Sequence, residues 1–449
     1  MGMRLMMLFT LTMTAATLPA RAAPITPSVV DPSSADDATN RPPEVLNAIE
    51  QFQQGKMNEA FAGLQTAARR YPHLPPARVM MANLYLTSGQ TAAGRQQLER
   101  MVAEDPADPE AYLIFGDLMR QQGYFTAAAA LYTEATPRIA GFQKDPARRD
   151  NLLARLHSGS AAVAEARGQW AEVIAALEKW LAVDADSAAA RGRLGRALFF
   201  LDRPEEAFAQ FQAAAGNDES GTARPAEISM LLLYHTRGDQ QKAAEWKDKA
   251  LAVSPDNLQT RLGVAGWLWE TGDAAAAKTH AEAALTIDAT AADALVYCGL
   301  AARRLENIDE AERYFQTAYE LSPQHLTAGI QLAVLLAGQS DVAKQRRALE
   351  IATDIAKSHP HQADVTATLA WAHYRLGRNP EAARSLESLA VGKRPLSRDA
   401  AYYVAQVLHG LGRQSEARRL LRATFERAGP FAAEAAARRW GRQIGAATE

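Results

Sequence analysis

The chain has 449 residues, is 48% hydrophobic and carries a formal net charge of -2 with a pI near 6.5. That apolar content excludes a globally disordered chain, and the lack of a basic excess excludes a dedicated nucleic-acid binder. The single cysteine, Cys298, excludes an internal disulfide, and beside Tyr297 and Leu300 it reads as a small buried core thiol.

The N-terminus reads as an address. Met1–Arg4 is short and carries one positive charge, and Leu5–Leu18 is an uncharged, largely apolar run. Pro19-Ala20-Arg21-Ala22 then places small residues where signal peptidase reads them. The expectation is a signal peptide over 1–22, cut after Ala22, with the mature protein periplasmic or secreted. The apolar run falls short of the roughly 20 residues of a membrane span, and no later run reaches that length, so no stable span is expected after cleavage. Residues 23–40 are rich in Pro, Ser, Asp and Thr and read as a solvated linker.

From residue 41 the chain restates itself. Ala82, Tyr85, Gly89, Gly94, Leu98 and Met101 recur 34 residues later as Gly116, Met119, Gly123, Ala128, Tyr132 and Ala135. Thirty-four residues earlier stand Ala48, Gln51, Gly55, Ala60, Leu64 and Ala67. Units at 224–257, 258–291 and 292–325 repeat the pattern. Each unit holds two stretches with apolar residues at helical spacing. A turn separates them, as at Gly89-Gln90, Gly238-Asp239 and Gly272-Asp273, where glycine can adopt the left-handed conformation that ends a helix. Asp105-Pro106, Ser254-Pro255 and Ser322-Pro323 close units, because a helix does not run through such a break. One helix pair cannot bury its own apolar face, whereas stacked copies can.

The pattern resembles the tetratricopeptide repeat, most closely in 109–142 (Tyr112, Phe115-Gly116, Ala128, Tyr132, Ala135) and 292–325 (Gly299, Ala311, Phe315, Ala318, Pro323). The resemblance implies an all-α, right-handed superhelical solenoid of about eleven helix-turn-helix units. Units 1–3 fill 41–142, an insert or helix extension fills 143–153, and units 4–11 fill 154–431. Residues 432–449 then form a capping helix and tail. Ala432, Ala436 and Trp440 are expected to share its apolar face, opposite Glu434, Arg438 and Arg442.

No catalytic pattern survives inspection. None of the nine histidines falls in a His-Glu-x-x-His pair, and His359 with His361 cannot close a four-coordinate metal site. Phosphate-loop, dinucleotide and nucleophile-elbow motifs are missing. No catalytic residue, cofactor or metal site is assigned, and the chain is expected not to be an enzyme.

In the resembling family the first helix of each unit lines a concave groove. Carried over position by position, groove candidates are Leu232, His235, Trp269, Arg303, Trp371, Tyr374, Arg375, Tyr402 and Gln406, with Asp117, Arg120, Arg196, Phe199, Leu300 and His409 at equivalent places. Each either meets a ligand or packs between neighbouring first helices. The family's carboxylate-clamp positions hold Val79, Leu113, Leu262 and Val296, with Asn83 alone, so no clamp is read. The implied partner is another protein, lying as an extended segment or helix in the groove. Residues 393–442 carry an excess of arginine and lysine, which offers an anionic polysaccharide as a second partner. The function expected is a non-catalytic scaffold or adaptor of the bacterial cell envelope. The alternative is a periplasmic component of polysaccharide or surface-polymer export, working with a separate outer-membrane partner.

Overall fold

A computed structural model describes residues 42–143, 145–216, 224–392 and 395–446. The expected signal peptide and linker lie outside the described residues, as does the end of the tail, 447–449.

All regular structure among the described residues is helical, in twenty-three helices. Twenty-two pair as hairpins, numbered here as repeats 1–11: α1 (Pro43–Gln53) with α2 (Met57–Arg70), α3 (Ala77–Thr87) with α4 (Thr91–Glu104), α5 (Glu110–Gln121) with α6 (Phe125–Ala140), and α7 (Pro146–Ala166) with α8 (Trp170–Val183). They continue with α9 (Ala188–Phe200) and α10 (Pro204–Gly216), α11 (Ala226–Arg237) and α12 (Gln240–Val253), α13 (Leu258–Thr271) and α14 (Ala274–Ile287), and α15 (Ala292–Arg304) and α16 (Ile308–Leu321). The last are α17 (Leu326–Gly338) with α18 (Val342–Ser358), α19 (Ala363–Arg375) with α20 (Asn379–Gly392), and α21 (Arg398–Gly410) with α22 (Gln414–Glu426), followed by the single helix α23 (Glu434–Gln443). The fold is an all-α helical repeat of the solenoid class.

The chain divides into two compact bodies. Of the described residues, those from 42 to Phe115 with Arg138–Arg149 form one, and Gly116–Pro137 with those from Asp150 onward form the other. Of the stretch expected as an insert or extension, 146–153 are the opening turns of α7, 146–149 in the first body and 150–153 in the second. Arg148 there donates to Glu110 at 2.6 Å and Asp108 at 3.2 Å and lies over the Phe142 ring. The two acids are buried, and this arginine sets an opposite charge against both.

Local chemistry sets the hairpins. Gly238 and Gly272 end α11 and α13 with φ of 86° and 92°, a region open to glycine without strain. Asp239 and Asp273 follow directly and accept the third N–H of the next helix, capping it. In repeats 5 and 8 the same turn uses Asp202 and Glu306 instead, at φ of 61° and 66°.

Packing within most of the hairpins follows one pattern, from which repeats 6 (Leu231, Lys247) and 9 (Leu332, Ala348) depart. A small residue on the first helix faces a large one sixteen positions later on the second: Ala48 with Leu64, Ala82 with Leu98, Ala370 with Leu386, Ala405 with Leu421. Where the large residue is aromatic, the small one is glycine: Gly116 with Tyr132, Gly195 with Phe211, Gly299 with Phe315. A Cβ on Gly299 would stand 2.6 Å from the Phe315 ring, and one on Gly116 would stand 2.5 Å from Tyr132. Repeat 7 reverses the compensation. Ala265 faces Ala281, and Cys298 of the next repeat joins them in one buried cluster. Burial pushes that thiol up to about 12, so Cys298 is a packing residue with little thiolate at neutral pH.

First helices also pack on the first helices of adjoining repeats, as α13 does on α15 and α19 on α21. They are consequently the more buried member: α15 buries nine residues and α16 only three. Gly299→Ala is expected to destabilise the array by about 1–3 kcal/mol through overpacking against Phe315. The double variant Gly299→Ala/Phe315→Leu should recover much of that loss, read as a coupling energy in urea unfolding.

Candidate functional site

The first helices of repeats 6–11 carry the nine groove candidates, and the structure sorts them by burial. On α11, Leu232 and His235 are half-buried, and His235 Nδ1 is 3.2 Å from the Gln240 side-chain amide. These two, with half-buried Tyr374 and Gln406, keep part of their surface in solvent.

Trp269, Arg303, Trp371 and Tyr402 take the packing alternative in this structure, being only 7%, 4%, 3% and 8% exposed. Each has a structural reason. Trp371 donates its indole N–H to the Val334 carbonyl at 3.2 Å, and its ring lies tilted against Tyr403 at 5.1 Å. Arg375 lies over the Trp371 ring and donates to the Gly338 and Gln339 carbonyls, serving the C-terminus of α17. Tyr374 packs its hydroxyl end on Gly410, where a Cβ would meet it at 2.0 Å. Phe199, another equivalent position, is fully buried against Tyr234.

Arg303 holds the centre of this region. Its guanidinium donates to Gln331 of repeat 9 and to the Tyr403 hydroxyl of repeat 11, and stands 3.5 Å from Asp399. Repeats 8 and 11 therefore meet through side chains a hundred residues apart. Burial pushes the Tyr403 hydroxyl up, which keeps it neutral beside the cation. Asp399 also accepts from the Ala432 and Ala433 backbone N–H groups at 3.0 and 2.9 Å, fixing the turn into α23. A cavity of about 280 Å³ remains here, lined by Trp269, Leu300, Ile330, Val334, Asp364 and Tyr403 among others. Sequence reasoning missed Gln331, Asp399 and Tyr403. No local motif marks them, since their roles depend on which repeats meet.

The capping helix also differs from expectation. It starts at Glu434, so Ala432 is buried in the preceding turn, and Ala437 and Gly441 are the buried helical positions, flanked by half-buried Ala436 and Trp440. Glu434, expected to face solvent, is half-buried and pairs with Arg304 and Arg438 at 2.7 Å each.

The accessible polar groups of the first helices cluster earlier, in repeats 3–5. Asp117 pairs with Arg155 at 2.7 Å and accepts from the Tyr132 hydroxyl, and Glu165 pairs with Arg193 and Arg196. Among the described residues no group of three or more His, Cys, Asp and Glu side chains could hold a metal ion, and no helix is long and apolar enough to cross a membrane.

This architecture is that of a helical-repeat scaffold of the kind that serves protein–protein interaction. Tetratricopeptide-repeat family models match residues 51–118, 292–325 and 367–433, and the chain is a tetratricopeptide-repeat protein. No curated protein matches the sequence significantly. Among solved structures, a tetratricopeptide repeat protein from Parabacteroides merdae is similar at 15% identity and a TM-score of 0.42, covering 58% of this chain and 99% of that one. Yeast Tom70 is similar at 14% identity and a TM-score of 0.37, covering 90% and 95%. A Thermus thermophilus tetratricopeptide-repeat protein is similar at 20% identity and a TM-score of 0.34, covering 42% and 98%.

Because Trp371 is a core residue, Trp371→Ala is expected to cost about 3–5 kcal/mol in the repeats around it. Hydrogen exchange should show the loss of protection concentrated in α17, α19 and α21.

Proposed function

We propose that the chain is a non-catalytic scaffold of the bacterial cell envelope that receives an extended segment or short helix of a partner protein along its first helices. The observation that carries this reading is the contrast along the row. In repeats 7, 8, 10 and 11 Trp269, Arg303, Trp371 and Tyr402 are interior, whereas Arg196, Leu232 and His235 keep accessible surface on adjacent first helices, as Tyr374 and Gln406 do further along. An apolar side chain flanked by an arginine and a histidine suits a partner segment that is apolar with an acidic flank. The envelope assignment rests on the Leu5–Leu18 run and the Ala20/Ala22 cleavage pattern.

A second reading has its own observation. Arg418, Arg419 and Arg422 surround a hollow on α22, a surface suited to an anionic polysaccharide in an export assembly. Binding there should be strongly salt-sensitive.

Affinity capture after mild crosslinking in the native envelope separates the two. An Arg196→Glu/Leu232→Asp/His235→Ala variant should lose the partner by about tenfold or more, as interface anchors do. Equal capture by the wild type and this variant sinks the first-helix site. Loss of glycan binding on Arg418→Glu/Arg422→Glu would instead favour the polysaccharide reading.

A further inference from the structure

The C-terminal helix α23 is a short one, ten residues long, and buries only Ala437 and Gly441 within its own span. A helix of that length is marginal in isolation, so its order comes from what it touches. Those contacts run in two directions. Toward repeat 11, Trp440 lies 6.0 Å from the Tyr402 ring and 5.6 Å from His409, Arg438 covers Phe425, and Arg422 donates to the Gly445 carbonyl. Toward repeat 8, Glu434 pairs with Arg304 at 2.7 Å, and Arg439 pairs with Glu306. The helix thus spans from repeat 11 to repeat 8, beside the buried Arg303–Tyr403–Asp399 centre.

Glu306 is unusual in itself. The corresponding turns of repeats 1, 2, 3, 4, 6, 7, 10 and 11 use glycine at positive φ, whereas Glu306 adopts φ of 66°. A side chain in that region is strained, and here the carboxylate it carries meets Arg439 from 133 residues away. The Arg439–Glu306 pair is about half exposed on both sides, so water and salt compete for it.

We propose that the trough between the Glu306 turn and the Tyr402–His409 face is a docking site for a short amphipathic helix, and that α23 fills it as an exchangeable internal ligand. The occupant is defined by the one already seated: an acid in its first turn to meet Arg304, an aromatic one to two turns later against Tyr402, and an arginine reaching Glu306. A partner protein offering a helix of that chemistry replaces α23. The proposal deepens the scaffold reading and rests on it, naming a second place on the array and the kind of segment it takes.

The test uses the full chain and needs no captured partner, so its result stands apart from the capture experiment. Hydrogen exchange of 434–446 is followed in the wild type, Arg439→Glu, Glu306→Gly and the charge swap Glu306→Arg/Arg439→Glu. Glu306→Gly relieves the strained turn and so removes the pair without endangering the fold. Both single variants should exchange about two- to fivefold faster in α23 than the wild type, and the swap should return close to the wild type. A labelled peptide of the native sequence 430–446 should then bind Arg439→Glu saturably, and bind the swap at least about tenfold more weakly. Unchanged exchange in both single variants overturns the latch, and failure of the swap to restore protection overturns the pairing. Fast exchange without peptide binding to Arg439→Glu overturns the docking site.

Discussion

The array depends on close approach of two helices at one point in most of its hairpins. A small residue on the first helix admits a large one sixteen positions later, and the size of one sets the size of the other. Glycine stands opposite Tyr132, Phe211 and Phe315, and alanine opposite Leu64, Leu98, Leu386 and Leu421. Interiors are packed near crystal density, so the spacing of the hairpin holds only while this sum of volumes is kept. Repeat 7 shows the same constraint met differently: Ala265 and Ala281 are both small, and Cys298 and Tyr297 from the next repeat close the gap. A cysteine with no chemistry to perform is thereby explained by the volume it fills.

Stacking carries the consequence from one hairpin to the next. Each first helix is enclosed by its own second helix and by neighbouring first helices, so aromatic residues placed on it are drawn into contacts between repeats. Trp371 reaches back to a carbonyl of α17, and Arg375 does the same one turn later. Large aromatics near arginine are as suited to joining repeats as to meeting a partner, since both tasks bury a flat apolar ring with a polar edge. In repeats 8–11 the first task takes them. In repeats 5 and 6, where Leu232, His235 and Arg196 lie, side-chain surface stays available.

Charge acts at the ends of the argument and not in its core. The buried cation Arg303 is matched by Asp399, a carbonyl oxygen of Gln331 and a neutral tyrosine hydroxyl, the satisfaction that a charge removed from water requires. The pairs that tie α23 to repeat 8 are partly open to solvent instead. One cluster sets a permanent joint, and the other sets a contact whose strength follows ionic strength.

The sequence by itself determined what is local and periodic. The 34-residue spacing, the turn glycines, the helix-capping acids and the alternation of small and large residues specify helical hairpins and their stacking, because each depends only on residues within about one repeat of each other. The tetratricopeptide class followed from those positions alone. Tertiary structure decided what depends on distant repeats meeting: that Trp269, Arg303, Trp371 and Tyr402 are interior, that 146–153 extend a helix to place Arg148 against Asp108 and Glu110, and that Glu434 turns inward to Arg304. Periodicity gives the same face to every first helix, and so it cannot separate a side chain facing solvent from one facing a repeat a hundred residues further along. The angle at which successive hairpins stack makes that choice, and that angle is a sum of small packing differences that no single position reveals.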